Sequence, residues 1–577
     1  MRWFTAIAFG LAVSNSLAAT YYVSPDGNDS NAGTLSNPWK TISKANQVLR
    51  PGDTVQLRGG NYDGQAIKPS QSGSSESQRI TYMAYPGEQP VIRRVQAGLV
   101  LSGKEYITVD GIDMDGEFYR GPTHSSWPGV NAGSSNIENF AKISNSQYNV
   151  IRNVTWRYAH GWAGLEISGG SHHNKFLDST FDFVGTYDNG LGDDKGDTLQ
   201  VVRGSHNLVQ GCTFRHGGHS SLVIEQGHYN VVRENYFDGD FSDVEGAGAG
   251  ARTVELKGEG PTNDTSGYNL FEYNVLVNTK TPSDTSSAPA MKVNGIGQIV
   301  RRNFIYNNHS NAIITANGDG GSNGYVGNNH IYHNVMYNNG RAAWALFFNS
   351  SNGVTNDNNV CMNNIMYENR TNTTSSSNDA EIIYSNSGLL GRGNRTTNNF
   401  MMKSNSGDSK VFTVEDKNNS LSWYENTYPQ EFSNNMQQNP DFASAQLRSV
   451  VDFKLSPSSP AIDAGAYLTA TTSSGSGQTI PVQDANFFTD GFGVIPGDIV
   501  KIGTGNVAQV LAADYVNQTI TVDKSISWSR GDQVSLNFNG AAPDVGAYED
   551  GMDPGTLPPD PMANRPAPPQ NLQATTN

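Results

Sequence analysis

The sequence predicts an all-β protein whose main body is a right-handed parallel β-helix, a solenoid of stacked coils. Glycine, with 62 residues, and asparagine are abundant, and long apolar runs with a helical period are scarce. Short strands with alternating apolar residues are numerous, and similar strands recur along the chain. Together these observations favour short strands joined by turns over a helical fold.

The recurring strands share one apolar position, and the interval between copies gives the length of a coil. Successive copies lie 34, 23, 32, 37 and 22 residues apart, which indicates a basal coil of about 22 residues with insertions. Parallel coils stack about 4.8 Å apart, so these residues form one long core, and parallel crossovers favour the right hand. A β-propeller needs larger blades of about 40 residues. The equivalent residues are Leu165, Leu199, Leu222, Val254, Met291 and Ile313.

An asparagine trails each strand and is followed by apolar residues at alternate positions, as in NLVQGCTF and NVVRENYF. We interpret this asparagine as structural, with its side-chain amide bonded along the stack or to a turn. The two cysteines, Cys212 and Cys361, lie on trailing strands several coils apart, beyond the reach of a disulfide. Both are expected to be buried free thiols.

Composition limits the partners and the location of the protein. The net charge of -16 disfavours nucleic-acid binding, which needs a basic surface. Residues 1–18 have the positive Arg2, the apolar stretch and the small-residue cleavage site of a secretory signal peptide. No later segment has the roughly 20 apolar residues that cross a bilayer. We therefore expect a secreted protein, extracellular or periplasmic, that is monomeric and not inserted in a membrane.

The rest of the chain divides by composition. WKTISKANQVL is helical, and its apolar face is expected to cap a β-helix whose coils run from about residue 60 to 465. Segments such as GDIVKIGTG and QTITVD indicate a small β module between AIDAGAY and APDVGAYE. The expected divisions are residues 19–465 for the capped β-helix, 466–541 for the inserted module, 542–550 for a return segment of the β-helix domain, and 551–577 for a Pro-rich linker with the start of a fibronectin type III-like segment.

The segments at the two ends of this β-helix have a recognisable character. YYVSPDGNDSNAGTLSNPWKTISKA, PGDTVQLRGGNY, RITYMAYPGEQPVI and PDVGAYE resemble the end segments of secreted parallel β-helix enzymes of the pectate-lyase and alginate-lyase kind. The resemblance extends over residues 20–465 and 541–549. It implies a polysaccharide lyase that cleaves an acidic, uronate-containing polysaccharide by β-elimination, with Ca²⁺ as the cofactor.

Two motifs carry the chemistry that this resemblance implies. DDKGD is similar to the Asp-Asp-x-x-Asp calcium motif of one pectate-lyase group, which implies that Asp193, Asp194 and Asp197 bind the metal. VELKG is similar to the strand with the catalytic lysine of that group, which implies Lys257 as the base. Lys257 lies two coils beyond the acids, a departure from the family spacing, and Lys292 in AMKVNG is the alternative.

Alternation along the aligned strands predicts two outward columns, which would gather several charged residues on one face. β-Elimination needs a base for the proton α to a carboxylate and a positive charge on that carboxylate. Histidine exchanges protons near neutral pH, so His219 is a second candidate for the base. The predicted columns are Glu166, Gln200, Val223, Glu255 and Lys292, and Ser168, Val202, Glu225, Lys257 and Asn294.

The candidate residues therefore fall into three groups. For any single outward residue the simpler interpretation is an ordinary solvated position, but charged residues make up only 16% of the chain, so their concentration here is unusual. The candidates are Lys257, His219, Lys292 and Arg252 for catalysis; His160, Trp162, Glu166, Arg233 and His216 for substrate binding; and Asp193, Asp194, Asp197, Glu225 and Glu255 for metal binding.

Two alternatives to a lyase follow from the same residues. GDD, GGHSSLVI and VELKG are similar in order to the paired acids, Gly-His turn and Arg-x-Lys strand of polygalacturonases, which are inverting hydrolases. Glu255 stands where that family has its arginine, and Ala163 stands in the place of its first acid. The second alternative is a non-catalytic, carbohydrate-binding β-helix protein.

Overall fold

The structure, a computed structural model, shows a right-handed parallel β-helix, as the repeat predicts. Three long parallel sheets form the walls of this helix within the described part of the chain. The described residues are 18–93, 95, 97–116, 140–159, 163–185, 196–240, 252–257, 267–280, 289–316, 326–347, 356–371, 380–385, 388–402, 411–414 and 419–551.

Most coils contribute one strand to each of the three walls in turn. Sheet 1 contains Thr20–Val23, Thr54–Leu57, Ile80–Ala84, Ile107–Asp110, Val150–Arg152, Lys175–Leu177, Leu208–Gln210, Val231–Arg233, Leu270–Glu272, Ile299–Arg301, His330–Tyr332, Val360–Met362, Arg395–Thr397 and Phe432–Ser433. Sheet 2 contains Gly60–Asp63, Pro90–Arg93, Asp113–Asp115, Thr155–Ala159, Thr180–Val184, Thr213–Arg215, Tyr236–Asp240, Val275–Lys280, Phe304–Tyr306, Val335–Tyr337, Ile365–Tyr367 and Phe400–Met402. Sheet 3 contains Leu99–Ser102, Ala141–Ser144, Ala163–Ser168, Asp197–Val202, Ser220–Glu225, Arg252–Lys257, Met291–Asn294, Ile313–Ala316, Trp344–Phe347, Ile382–Ser385 and Phe412–Val414.

The inward side chains of the three walls form one continuous apolar core. On sheet 3 the apolar positions aligned from the sequence are neighbours in register from Leu165 through to Ile313, so this prediction is confirmed. On sheet 2 an aromatic ring repeats at the same position, and Phe181 stacks on Phe214 with 4.6 Å between ring centroids. Burial of one such residue per strand accounts for the period-2 pattern.

Ladders of buried asparagines run along the turns between the walls. Asn334 shows the pattern: its Oδ1 accepts from the side-chain amide of Asn303 at 3.0 Å, and its own amide donates to Asn364 at 3.0 Å. These bonds satisfy polar groups that the coil turns bury. The structural interpretation of the trailing asparagines is confirmed. One ladder contains Asn149, Asn174, Asn207, Asn230 and Asn269, and a second contains Asn235, Asn274, Asn303, Asn334, Asn364, Asn399 and Asn435.

Both cysteines are buried and free, as predicted. Burial raises the pKa of the Cys212 thiol to about 12, and it raises the pKa of the Cys361 thiol as well. A thiol that stays protonated is a weak nucleophile and a weak metal ligand. The cysteines therefore act as core residues.

The coils begin and end earlier in the chain than the sequence indicates. Thr20–Val23 already pairs in parallel with Thr54–Leu57 of sheet 1, so the coils start well before residue 60. Phe432–Ser433 is the last strand of that sheet, well before residue 465. The expected cap helix is present at Ile42–Val48, where Thr41 Oγ1 accepts from the backbone N–H of Lys44 at 3.1 Å. The other helical segments in the described residues are the α-helix Leu421–Thr427 and the 3₁₀ turns Glu76–Gln78, Val450–Phe453 and Gly491–Gly493.

A separate antiparallel sheet follows the coils and packs on the outer face of sheet 1. Apolar residues such as Phe487 and Phe488 bury the outward side chains of sheet 1, among them Val231 and Ile299. The segment returns to its starting point, where Gly465 N–H donates to Pro543 O at 2.7 Å. Its strands, in spatial order, are Thr469–Ala470, Gln533–Leu536, Ile499–Ile502, Asn506–Asp514, Thr519–Trp528 and Gly475–Pro481. A short pair, Val326–Gly327 with Asn356–Asp357, lies beside the coils.

No helix in the described ranges has both the length and the apolar character that a bilayer crossing requires.

Candidate active site

The outer face of sheet 3 carries both of the predicted columns. In the first column Glu166 is in register with Gln200, Gln200 with Val223, Val223 with Glu255, and Glu255 with Lys292. In the second column Glu225 lies between Val202 and Lys257, and Lys257 pairs with Asn294. Because neighbouring parallel strands lie about 4.8 Å apart, side chains in each column are close enough to act on one ligand.

A cleft of about 480 Å³ opens on this face. The cleft is polar, and six of the sequence-derived candidates line it together. They are Glu166, Asp197, His219, Glu225, Glu255 and Lys257. The sequence reasoning did not select Gln200, Val202 and Val223 as site residues, although their positions in the two columns were the signal that could have found them.

His219 and Asp197 form a pair at one side of the cleft. Asp197 begins one strand, and His219 immediately precedes the next strand, so stacking of the two coils brings them together. His219 Nδ1 lies 3.1 Å from Asp197 Oδ1, and the Ser220 hydroxyl lies 3.3 Å from the same ring nitrogen. Because Nδ1 is engaged in this way, Nε2 is the ring nitrogen that can exchange a proton with a ligand.

The carboxyl of Asp197 is buried, and this changes its acidity. Burial raises the pKa of Asp197, and the negative charge of Glu255 acts in the same direction. The hydrogen bond from His219 and the positive charge of Lys257 act against the increase. The pair therefore holds a carboxyl group that takes up a proton more readily than an exposed aspartate does.

Glu255 lies at the base of the cleft within a buried group of charges. Its Oε2 accepts from Arg252 Nη1 at 2.7 Å, and its Oε1 lies 3.4 Å from Lys292 Nζ. Arg252 and Lys292 are buried beside the cleft and are not among the residues that line it. Two of the four catalytic candidates thus neutralise Glu255, because a carboxylate can be buried only with such partners.

Lys257 has a different setting from Lys292. Its Nζ lies 3.4 Å from Glu225 Oε2, and its side chain is 26% exposed, compared with 8% for Lys292. Since Lys257 lines the cleft, an anionic ligand bound there would lie beside its ammonium group and would share it with Glu225.

Arg233 and His216 lie outside the cleft. Arg233 is on sheet 1, where it pairs with Glu234 at 2.9 Å and with Glu272 at 3.3 Å. His216 directly follows the strand Thr213–Arg215 of sheet 2, its ring stacks on Phe183 with 4.3 Å between centroids, and its Nδ1 lies 2.6 Å from Asp182 Oδ1. The structure does not bring either residue to the other candidates.

Four candidates, His160, Trp162, Asp193 and Asp194, lie outside the described residues. Within the described ranges, no three or more His, Cys, Asp or Glu side chains gather closely enough to hold a metal ion. The ligand candidates that are described are committed to other groups: Asp197 to His219, Glu225 to Lys257 and Glu255 to Arg252. These three carboxylates do not by themselves fit a calcium site, which needs six to eight oxygen ligands.

The chain matches known proteins over parts of its length. Residues 21–190 match the family model of the Pel9A-like right-handed β-helix region. Pectate lyase PEL9 of Emericella nidulans is 40% identical over 77 residues, which are 13% of this chain and 18% of that protein. The uncharacterized protein YwoF of Bacillus subtilis is 30% identical over 121 residues, which are 18% of this chain and 25% of that protein. The matched segments thus span a quarter or less of these relatives.

A solved structure of pectate lyase Pel9A aligns with 92% of this chain and 97% of its own, at 16% identity and a TM-score of 0.42. The family model covers the cap, the first coils and the strand that contains Glu166. The resemblance of this chain to the pectate-lyase-like right-handed β-helix family is thereby confirmed.

Proposed function

We propose that this protein is an exported, monomeric polysaccharide lyase that cleaves an acidic, uronate-containing polysaccharide by β-elimination. The observation that carries the proposal is the cleft on sheet 3, where the His219–Asp197 pair and Lys257 line the same space. The match of one segment to a pectate lyase supports the same class of reaction. The relative's substrate, pectate, is a uronate polymer of the proposed kind.

The reaction requires three events at one uronate residue. A base removes the proton α to the carboxylate, a double bond forms to the β carbon, and the glycosidic oxygen leaves with its electron pair and acquires a proton. We assign His219 as the base, because Asp197 orients its ring and stabilises the charge that it gains. Lys257 supplies the positive charge on the substrate carboxylate. Lys257 is the alternative base, as the VELKG motif implies.

Calcium assistance stays a prediction that depends on Asp193 and Asp194 together with Asp197. If that motif binds Ca²⁺, the ion supplies the same neutralising charge that we assign to Lys257. The lyase assay is therefore to be performed with added Ca²⁺ and with a chelator. Loss of activity with the chelator, restored by Ca²⁺, is the expected result if the DDKGD motif holds the ion.

The test of the reaction is the product formed from a panel of acidic and neutral polysaccharides. A lyase creates an unsaturated uronate, which absorbs in the ultraviolet, together with a new reducing end. An inverting hydrolase creates reducing ends without that absorbance, and a non-catalytic protein creates neither. The hydrolase is the second candidate, because a carboxyl with a raised pKa, as in Asp197, suits the general acid of glycoside hydrolysis.

Substitution separates the two candidate bases. We expect His219→Ala to lower kcat by about 10²- to 10⁴-fold, the usual contribution of a general base, and Lys257→Ala to raise KM more than it lowers kcat. The matched controls are His228→Ala and Lys175→Ala, which change the same residue types on the side of sheet 1. If His219→Ala keeps the wild-type kcat and Lys257→Ala loses most of it, Lys257 is the base and His219 is not.

A further inference from the structure

A second groove lies on the face of sheet 3, nearer the N-terminus than the catalytic cleft. Its volume is about 460 Å³, and it lies between the cap helix and the strand Leu99–Ser102. Val100 and Ser102 contribute to the groove from the sheet, and Lys68 and Lys104 contribute two ammonium groups. Apart from the cap helix, the residues of the groove belong to none of the motifs considered above.

The columns of the cleft continue into this groove. Val100 is in register with Lys142, and Lys142 with Glu166 of the cleft. In the adjacent column Ser102 is in register with Ser144, and Ser144 with Ser168, so a row of small serine side chains extends from the groove toward the cleft. Four strand spacings of about 4.8 Å separate the strand Leu99–Ser102 from the strand that contains Glu225, or roughly 19 Å. One extended polysaccharide chain is long enough to occupy both.

The charge of this groove differs from that of the whole protein. Lys68 is exposed, and Lys104 Nζ donates to the backbone oxygen of Ser70 at 3.0 Å. Neither lysine pairs with a carboxylate in the described part of the chain. Lys142, whose side chain is 50% exposed, lies between the groove and the cleft, 3.8 Å from Glu166. A positive groove stands out in a chain of net charge -16, and it suits an anionic ligand.

We propose that this groove is a distal subsite that binds a carboxylate-bearing sugar of the same polysaccharide whose cleavage we assign to the cleft. Lys68 and Lys104 hold the carboxylate, and the serine column offers hydroxyl groups to the sugars between the groove and the cleft. The inference rests on the proposed function. It assigns the enzyme a preference for long acidic chains over short oligomers, because only a long chain reaches both places.

The test compares Lys68→Gln/Lys104→Gln with the wild type on polygalacturonate, on alginate and on their short oligomers. We expect KM for the polymer to rise roughly three- to tenfold, the effect of two exposed charge contacts, with kcat and the kinetics on short oligomers unchanged. The difference should vanish at high salt, because exposed charges are screened. Lys454→Gln/Lys524→Gln is the control, since it removes two exposed lysines elsewhere.

Affinity electrophoresis in gels that contain polygalacturonate or alginate measures binding without turnover. The variant is expected to lose part of the retardation that the wild type and the control show. If the wild type is retarded but cleaves no uronan, the proposed reaction is wrong. In that case a variant that is retarded less than the wild type still supports the subsite. Equal retardation and equal KM in variant and wild type, or no retardation of the wild type, would overturn the subsite.

Discussion

Glu549 is a buried carboxyl near the end of the described chain, and its acidity is strongly altered. Its Oε1 accepts from Asn539 N–H at 3.1 Å, and its Oε2 accepts from Asp544 N–H at 3.1 Å. Burial raises the pKa of Glu549 to about 8, and the negative charge of Asp544 adds to the increase. The side chain is therefore protonated in the folded protein at pH values where it is ionised in the unfolded chain.

This shift predicts a loss of stability at alkaline pH. A carboxyl whose pKa is raised on folding contributes its full stabilisation below the unfolded pKa of about 4.3, and the contribution disappears as the pH passes 8. We expect the Tm of the wild type to fall between about pH 5 and pH 9, and the Tm of Glu549→Gln to fall less. Asp550→Asn, at an exposed neighbour, is the control. Parallel Tm profiles for Glu549→Gln and wild type would contradict the assignment.

Side-chain positions in the cleft could be predicted only in part from the sequence. Strand alternation was sufficient to place Glu225 and Lys257 in one outward column, because period 2 is a local property of the chain. Arg233, a substrate-binding candidate from the sequence, lies on sheet 1 and outside the cleft, and the alignment of the trailing segments does not tell which wall they form. The pairing of Lys292 with Glu255 depends on burial, which the pattern of residue types does not reveal.

The asparagine ladders are elements of the fold in the same sense as the sheets, because each side chain joins one coil to the next. Asn334 is fully buried, and both the backbone N–H and the side-chain amide of Asn303 donate to its Oδ1. We expect Asn334→Ala to lower the free energy of unfolding by at least about 3 kcal/mol, because it leaves these buried donors without an acceptor.

Chemical denaturation measures this loss. Asn61→Ala, at an exposed position of sheet 2, is the control and should change the unfolding free energy by less than about 0.5 kcal/mol. A similar small effect at Asn334 would show that the ladder contributes little to stability. The ladder's position could be predicted from the recurring asparagine, whereas the hydrogen bond from the Asn269 amide to Gln298 could not, because glutamine stands there in place of the asparagine of the other coils.

At the scale of the whole molecule, Arg301 joins the β-helix to the antiparallel module. It is on sheet 1 and is 3% exposed, and its guanidinium donates to Asp498 of the module at 2.9 and 2.5 Å and to Glu272 at 2.9 Å. Removal of one partner from such a buried network leaves uncompensated charge. The module is thus fixed to the coils by charge as well as by apolar contact.

We expect Arg301→Ala to cost about 3–5 kcal/mol of unfolding free energy, because the buried Asp498 loses its ion-pair partner and Glu272 keeps only Arg233. Arg152→Ala is the matched control on the same sheet: its pair with Asp110 spans 2.8 Å, its side chain is 49% exposed, and its loss should cost no more than about 1 kcal/mol. Urea unfolding monitored by tryptophan fluorescence measures both. Equal losses in the two variants would mean that the Arg301 network does not anchor the module.

Because the asparagine ladders repeat the same contacts from coil to coil, a segment can stack on the wrong coil while the chain folds. Each coil offers the next an asparagine carboxamide and apolar residues at the same positions, so a segment stacked one coil out of place recovers many of the same bonds. Growth from one end removes this ambiguity, because each completed coil presents a single free edge as the template for the next. Synthesis from the N-terminus, where the cap helix lies, delivers the coils in that order. Assembly history, and not contact energy alone, then selects the correct partner for each strand.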